Sequence, residues 1–169
     1  MRPIRAGVLW MVLVCAALFS TPAIADIPLA TNLCIADSVE TTPSSDFTAL
    51  EGGAVVRHEP TRLEWRRCAE GMSWSGNDCT GDPIRLNWQL ALQHADEMPE
   101  WRLPNISELE SIVERCTAGP SINEQVFPNT PNDDFWSSSP RLRMNFGRGI
   151  YSPGLRFSGR LLRLVRGPK

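Results

Sequence analysis

Apolar positions along this chain change period several times, and each change marks an element. Residues 7–19 are apolar without interruption. Val55, Leu63 and Trp65 sit in two short runs, 54–57 and 63–67, that read as strands joined around Glu59-Pro60, with these three side chains facing inward. Trp88, Ala91, Leu92 and Ala95 then fall on one helical face, and Asn87 ahead of them is a good N-cap. Past Pro140 the period returns to two: Leu142, Met144 and Phe146 alternate with Arg141, Arg143 and Asn145, and Gly147 and Gly149 bracket a turn. Leu155 and Phe157 straddle Arg156, and Ser158-Gly159 turns the chain into an apolar run at 161–165.

The joint between these halves is WRLPNISELE, residues 101–110. Trp101 and Leu103 alternate with Arg102 as in a strand, and Pro104 disfavours helix at Leu103. Asn105 caps a helix, Glu108 completes a capping box, and Ile106, Leu109, Ile112 and Val113 repeat at helical spacing up to about Cys116. Gly119-Pro120 stops it, and 122–134, rich in Asn and Pro, has the composition of a long ordered loop before a strand at Phe135-Trp136. Strands, two helices, a loop and further strands give an α+β class.

The first 25 residues change the inventory. Arg2 and Arg5, the apolar run and Ala23-Ile24-Ala25 form a signal peptide, 1–25, too short to span a bilayer, which takes roughly 20 apolar residues. An arm, 26–46, and one domain, 47–169, are expected to follow, the stretch 37–46 being a loop or mobile arm poor in apolar residues. Export to the periplasm or beyond makes disulfides the expected use of Cys34, Cys68, Cys79 and Cys116. Four cysteines allow three connectivities. Cys68 with Cys79 is favoured because Gly71, Gly76, Asn77 and Asp78 let the chain fold back, which leaves Cys34 for Cys116.

Charge is divided along the chain. Residues 26–140 carry 19 acids against 7 arginines, whereas 141–169 carry 8 basic residues and no acid. The second segment therefore either meets an anionic partner or lies as a basic sheet against the acidic remainder of its own domain.

The blocks LEWRRCAEGMSWSGNDCTG (63–81), WRLPNISELESI (101–112), INEQVFPNTP (122–131), FWSSSP (135–140) and LVRG (164–167) resemble the Lcl C-terminal domain family, in the right order over roughly 47–167. The resemblance implies a C-type-lectin-like α+β fold: a twisted antiparallel sheet, two helices and long loops. Formylglycine-generating enzymes are distantly similar, but their catalytic cysteines lie late in the domain, and here no cysteine follows Cys116. Two positions depart from the family. Arg62 stands where it usually has glycine, so a differently shaped turn is expected, and Gly52-Gly53-Ala54 replaces an Asp-Gly-Thr hairpin. The family's namesake adhesin binds sulfated glycosaminoglycans, which by similarity suggests a polyanionic glycan. Its collagen-like stalk is absent here.

Candidate chemistry follows from the basic segment. Arg141 and Arg143, two apart on an alternating strand, are expected to share a face, with Arg148 joining from the turn. Guanidinium groups pair bidentately with sulfate or carboxylate, so the three form a candidate anion platform, with Trp74 as a possible aromatic neighbour. Arg160, Arg163 and Arg166 are read as structural. Asn132, Asp133 and Asp134 offer oxygens, but their spacing fits no calcium loop, and a hydrogen-bonded turn is the expectation. Only His58 and His94 are present, and Ser137 to Ser139 have no base near them in sequence, so no catalytic set is assigned. The expected function is a non-enzymatic binding module for an anionic glycan, or else an envelope protein-interaction subunit using the 122–134 loop. No cofactor, nucleic acid or membrane span is expected.

Overall fold

The computed structural model describes residues 34–35, 38–117 and 119–168. The expected signal peptide, 1–25, and the start of the arm lie outside the described residues. Among those described, the fold is α+β. A first antiparallel sheet has the order β1 (Phe47–Leu50), β2 (Val55–His58), β3 (Leu63–Arg66), β9 (Val165–Arg166). A small hairpin, β4 (Ser73–Trp74) with β5 (Cys79–Thr80), is stapled at its base by the Cys68–Cys79 disulfide. Helix α1 (Trp88–Asp96), helix α2 (Ile106–Glu110) and the three-stranded sheet β6 (Asp134–Trp136), β7 (Leu142–Asn145), β8 (Ile150–Pro153) complete it.

Both helix starts and the central joint form as the sequence predicts. Asn87 accepts from the Leu90 amide, and Asn105 and Glu108 close a full capping box. Arg102 exchanges two backbone hydrogen bonds with Val165, and its guanidinium grips the same Glu108 carboxylate through two contacts of 2.7 Å. One carboxylate thus satisfies a helix terminus and orients the strand feeding it.

The closing segment 161–165 is buried throughout. Its alternation divides the interior. Leu161 and Val165 enter a larger core with Val56, Trp65, Leu109, Ile112, Phe127, Phe135 and Met144. Leu162 and Leu164 enter a second with Ala91, Ala95, Leu103 and Trp136. Period two in a strand covered on both sides produces this split. At Gly154 the chain passes so near the buried Trp136 that a Cβ would sit 2.6 Å from its ring.

Three expectations are corrected. Helix α2 ends at Glu110 rather than near Cys116, because Ile112 and Val113 close tighter turns onto Leu109 and Glu110 and the Glu114 amide bonds to Ser121. The inward partner of Trp65 is Val56, directly opposite it; Val55 pairs with Arg66 and is buried on the other face. Residues 155–157 form no strand, leaving Leu155 and Phe157 exposed. Arg62 takes a left-handed φ of 60°, the region glycine adopts most readily, with its guanidinium 2.7 Å from Glu59.

The end of the arm is a docked loop. The buried Glu114 carboxylate accepts from the Thr41, Thr42 and Cys116 amides and from both threonine hydroxyls, while Asn123 Nδ2 donates to the Thr42 carbonyl. Beside it the Cys34–Cys116 disulfide fixes the chain covalently, so both favoured cystines are present. Burial alone would raise the Glu114 carboxyl, but the amide and hydroxyl donors outweigh it and hold it below the usual range. The stability it contributes is present above the ordinary glutamate pKa of about 4.3 and is lost as pH falls through the lower native value. Replacing Glu114→Gln leaves amide donors facing an amide and is expected to destabilise by about 2 to 3 kcal/mol. Urea unfolding from pH 7 to pH 3 checks both points, because the variant should show a shallower acid decline than the parent.

Candidate functional site

Sequence alternation set Arg141 and Arg143 on one strand face, but the strand begins one residue later. Arg141 precedes β7 with a φ of 60°, which takes it out of the alternation, and its side chain is exposed. Arg143 and Arg148 are brought together. With Asp134, Asn145, Ile150 and Ser152 they line a shallow hollow of about 240 Å³ on the β6–β7–β8 sheet. The β7–β8 turn, with Gly149 at a φ of 64°, carries Arg148 to the rim.

Asp134 is the anion of this hollow. Its Oδ1 accepts from Asn145 Nδ2 at 2.9 Å, and its Oδ2 faces Arg143 Nε at 3.0 Å and Arg160 Nε at 3.2 Å. Neither Nε has the alignment of a hydrogen bond, so both ion pairs are contacts of charge rather than closed donor–acceptor pairs. Arg148 has no ion-pair partner among the described residues. Two guanidinium groups therefore face one carboxylate, and a third, Arg148, lines the same hollow. Arg160 was assigned a structural role by its sequence context; only the tertiary fold carries it to Asp134.

The neighbouring acids are occupied. Asp133 pairs with Arg85 at 2.5 Å and accepts from the Asp134 amide at 2.6 Å, the hydrogen-bonded turn expected for 132–134. Burial would raise its carboxyl, yet the Arg85 and amide hydrogen bonds hold it below the usual range. Elsewhere in the basic segment two arginines are absorbed by the fold. Arg166 contacts Glu64 at 2.7 Å and Glu51 at 2.6 Å, and Arg163 is fully buried. Much of the C-terminal positive charge thus lies against the acidic part of the same domain.

Trp74 lies elsewhere. It lines a hollow with Trp101, Arg66 and Glu70 on the side of the first sheet, sharing no lining residue with the Asp134 hollow. Both histidines have local partners: His58 stacks on Phe47 and meets Thr61, and His94 Nε2 lies 3.0 Å from the buried Glu70. Ser137 donates to the Leu142 carbonyl and Ser139 accepts from the Ile106 amide, so these serines tie the β6–β7 connection to helix α2. The loop 122–134 is ordered as expected, and Ile122, Val126 and Phe127 are buried in the larger core.

No helix among the described residues is long and apolar enough to cross a membrane. Two disulfides are consistent with an exported protein. Comparison with curated proteins and with solved structures gives no significant match. The family model of the Lcl C-terminal domain matches residues 54–166, from the start of the β2–β3 hairpin through the closing strand, and the chain belongs to that family.

Proposed function

We propose that this domain is a periplasmic or extracellular, non-enzymatic binding module for an anionic glycan or cell-surface polymer, held at the arginines around Asp134. The observation that carries this reading is the imbalance of charge: Arg143 and Arg160 share one carboxylate oxygen, and Arg148 stands at the rim with no anionic partner among the described residues. A sulfate or carboxylate entering there gains two or three charge-assisted contacts, and guanidinium suits it better than ammonium because it offers paired donors in one plane. The C-type-lectin-like kinship and the glycosaminoglycan-binding adhesin implied by the family resemblance support the same ligand class. Arg141, exposed one residue before β7, adds long-range attraction rather than a contact in the hollow.

A second reading, an envelope protein-interaction or assembly subunit, is favoured by a different feature. Phe157 is 94% exposed and Leu155 76%, beside a hollow that Trp88 and Leu92 line. The 122–134 loop, whose apolar side chains are buried, offers less for this purpose. Co-purification of a protein partner that is lost on Phe157→Asp, with glycan binding absent, would favour this second reading.

For the glycan reading, the oxidised protein is expected to bind heparin saturably at low ionic strength and more weakly at physiological salt, where charges are screened over about 8 Å. Replacing Arg143→Ala together with Arg148→Glu should weaken binding by roughly a hundredfold, the loss of two charge-assisted contacts. Unchanged affinity in that variant, measured by calorimetry, would sink the proposal. Asp134→Asn removes the internal competitor and is expected to tighten heparin binding while lowering stability by about 1 kcal/mol.

A further inference from the structure

Trp74 is a large aromatic side chain outside both hydrophobic cores, yet it is held firmly. Its Nε1 donates to the Gly52 carbonyl at 3.1 Å, and the Arg67 guanidinium lies over its ring, 4.4 Å from the centroid. Gly53 passes so near that a Cβ there would stand 3.0 Å from Nε1. The Gly52-Gly53 turn that replaces the family's usual hairpin therefore gives the ring its seat. Trp101 is contacted by two guanidinium groups, Arg66 at 5.1 Å and Arg166 at 4.7 Å from its ring centroid.

These two half-buried rings line one hollow of about 200 Å³, together with Arg66, Glu70 and Glu51. Its lining carboxylates are paired within the domain. Glu70 faces Arg66 at 3.4 Å and His94 at 3.0 Å, and Glu51 meets Arg166 at 2.6 Å. Among its lining residues the carboxylates of Glu51 and Glu70 outnumber the single guanidinium of Arg66, so the lining does not favour an anion. It offers aromatic surface beside donors and acceptors already oriented by ion pairs, which suits a ligand with one apolar face and many hydroxyls.

We propose that the Trp74–Trp101 hollow is a subsite for an uncharged pyranose ring, its C–H face stacked on Trp74 and its hydroxyls hydrogen-bonded by Arg66, Glu70 and Glu51. This extends the glycan-binding reading to a second position and a different chemistry, so that a charged and an uncharged sugar unit are taken by separate hollows. Preformed rings reduce the ordering cost of binding, which matters for a ligand whose individual contacts are weak.

The test is calorimetry of the oxidised mature protein against chitohexaose, cellohexaose, maltohexaose and mannohexaose in about 1 M salt, where ion pairing is screened within roughly 3 Å. At least one of these is expected to bind, with movement of the Trp74 indole N–H resonance in its NMR spectrum. Trp74→Ala should weaken that binding roughly tenfold or more, the scale of one lost stacking contact, while Trp74→Phe keeps it within a few-fold. Arg148→Glu should leave it unchanged. The two substitutions at Trp74 are compared at equal thermal stability, so a folding defect is not mistaken for a lost contact. Absence of binding by all four oligosaccharides, or equal binding by Trp74→Ala, overturns the subsite. Heparin binding that persists in either case leaves the anionic site standing, and loss of heparin binding alone leaves the neutral subsite standing.

Discussion

A charged side chain buried in the interior constrains everything around it, and here that side chain is Arg163. Its guanidinium has no exposure to solvent; it donates to the carbonyls of Arg66 and Arg67 and to the Thr130 hydroxyl and lies over the rings of Phe127 and Phe135. Burial pulls its pKa down to about 9, against the raising influence of Glu70, so it remains charged at neutral pH. Leaving such a group without acceptors would cost several kcal/mol. The end of β3, the 122–134 loop and β6 must all be in place for the closing segment to be buried, so one side chain ties four parts of the chain into a single arrangement.

The same segment explains how charge is arranged. The run 141–169 is uniformly basic in sequence, but the fold treats its arginines differently. Arg166 is neutralised by Glu64 and Glu51 across the first sheet, Arg163 is solvated by backbone carbonyls, and Arg143 and Arg160 compete for one aspartate. A long-range asymmetry is thus partly absorbed by the fold, and a local surplus remains at Asp134. Arginine is suited to each of these roles because its planar fork can serve carbonyls, carboxylates or an aromatic face with the same geometry.

The two hollows owe their form to opposite devices. At Asp134 the side chains are on strands and a tight turn, and what distinguishes the place is an electrostatic deficit. At Trp74 the lining carboxylates are already paired, and what distinguishes the place is rigid aromatic surface seated over a glycine turn and under arginines. His58, His94 and Ser137 each have a hydrogen-bond partner within the fold, and the His94 contact holds Glu70 at the edge of the Trp74 hollow.

Local order was legible from residues alone wherever the controlling interaction spans a few positions. Asn87, Asn105 and Glu108 determine where helices start because a cap bonds an amide two or three residues on. The β2–β3 hairpin, β6, β7 and the Cys68–Cys79 loop were legible because turn residues and period-two alternation are local signals. Where β1 lies, where α2 stops, and which of Val55 and Val56 faces Trp65 depended on register and on a distant partner, the Ser121 carbonyl in the case of the helix end. The site followed the same rule. Arg143 and Arg148 were identifiable as cations near a turn, but the meeting of Arg143 with Arg160 on Asp134, and the separation of Trp74 from that hollow, were decided by tertiary structure, because a side chain's charge is written in the sequence whereas its counter-charge is chosen by packing.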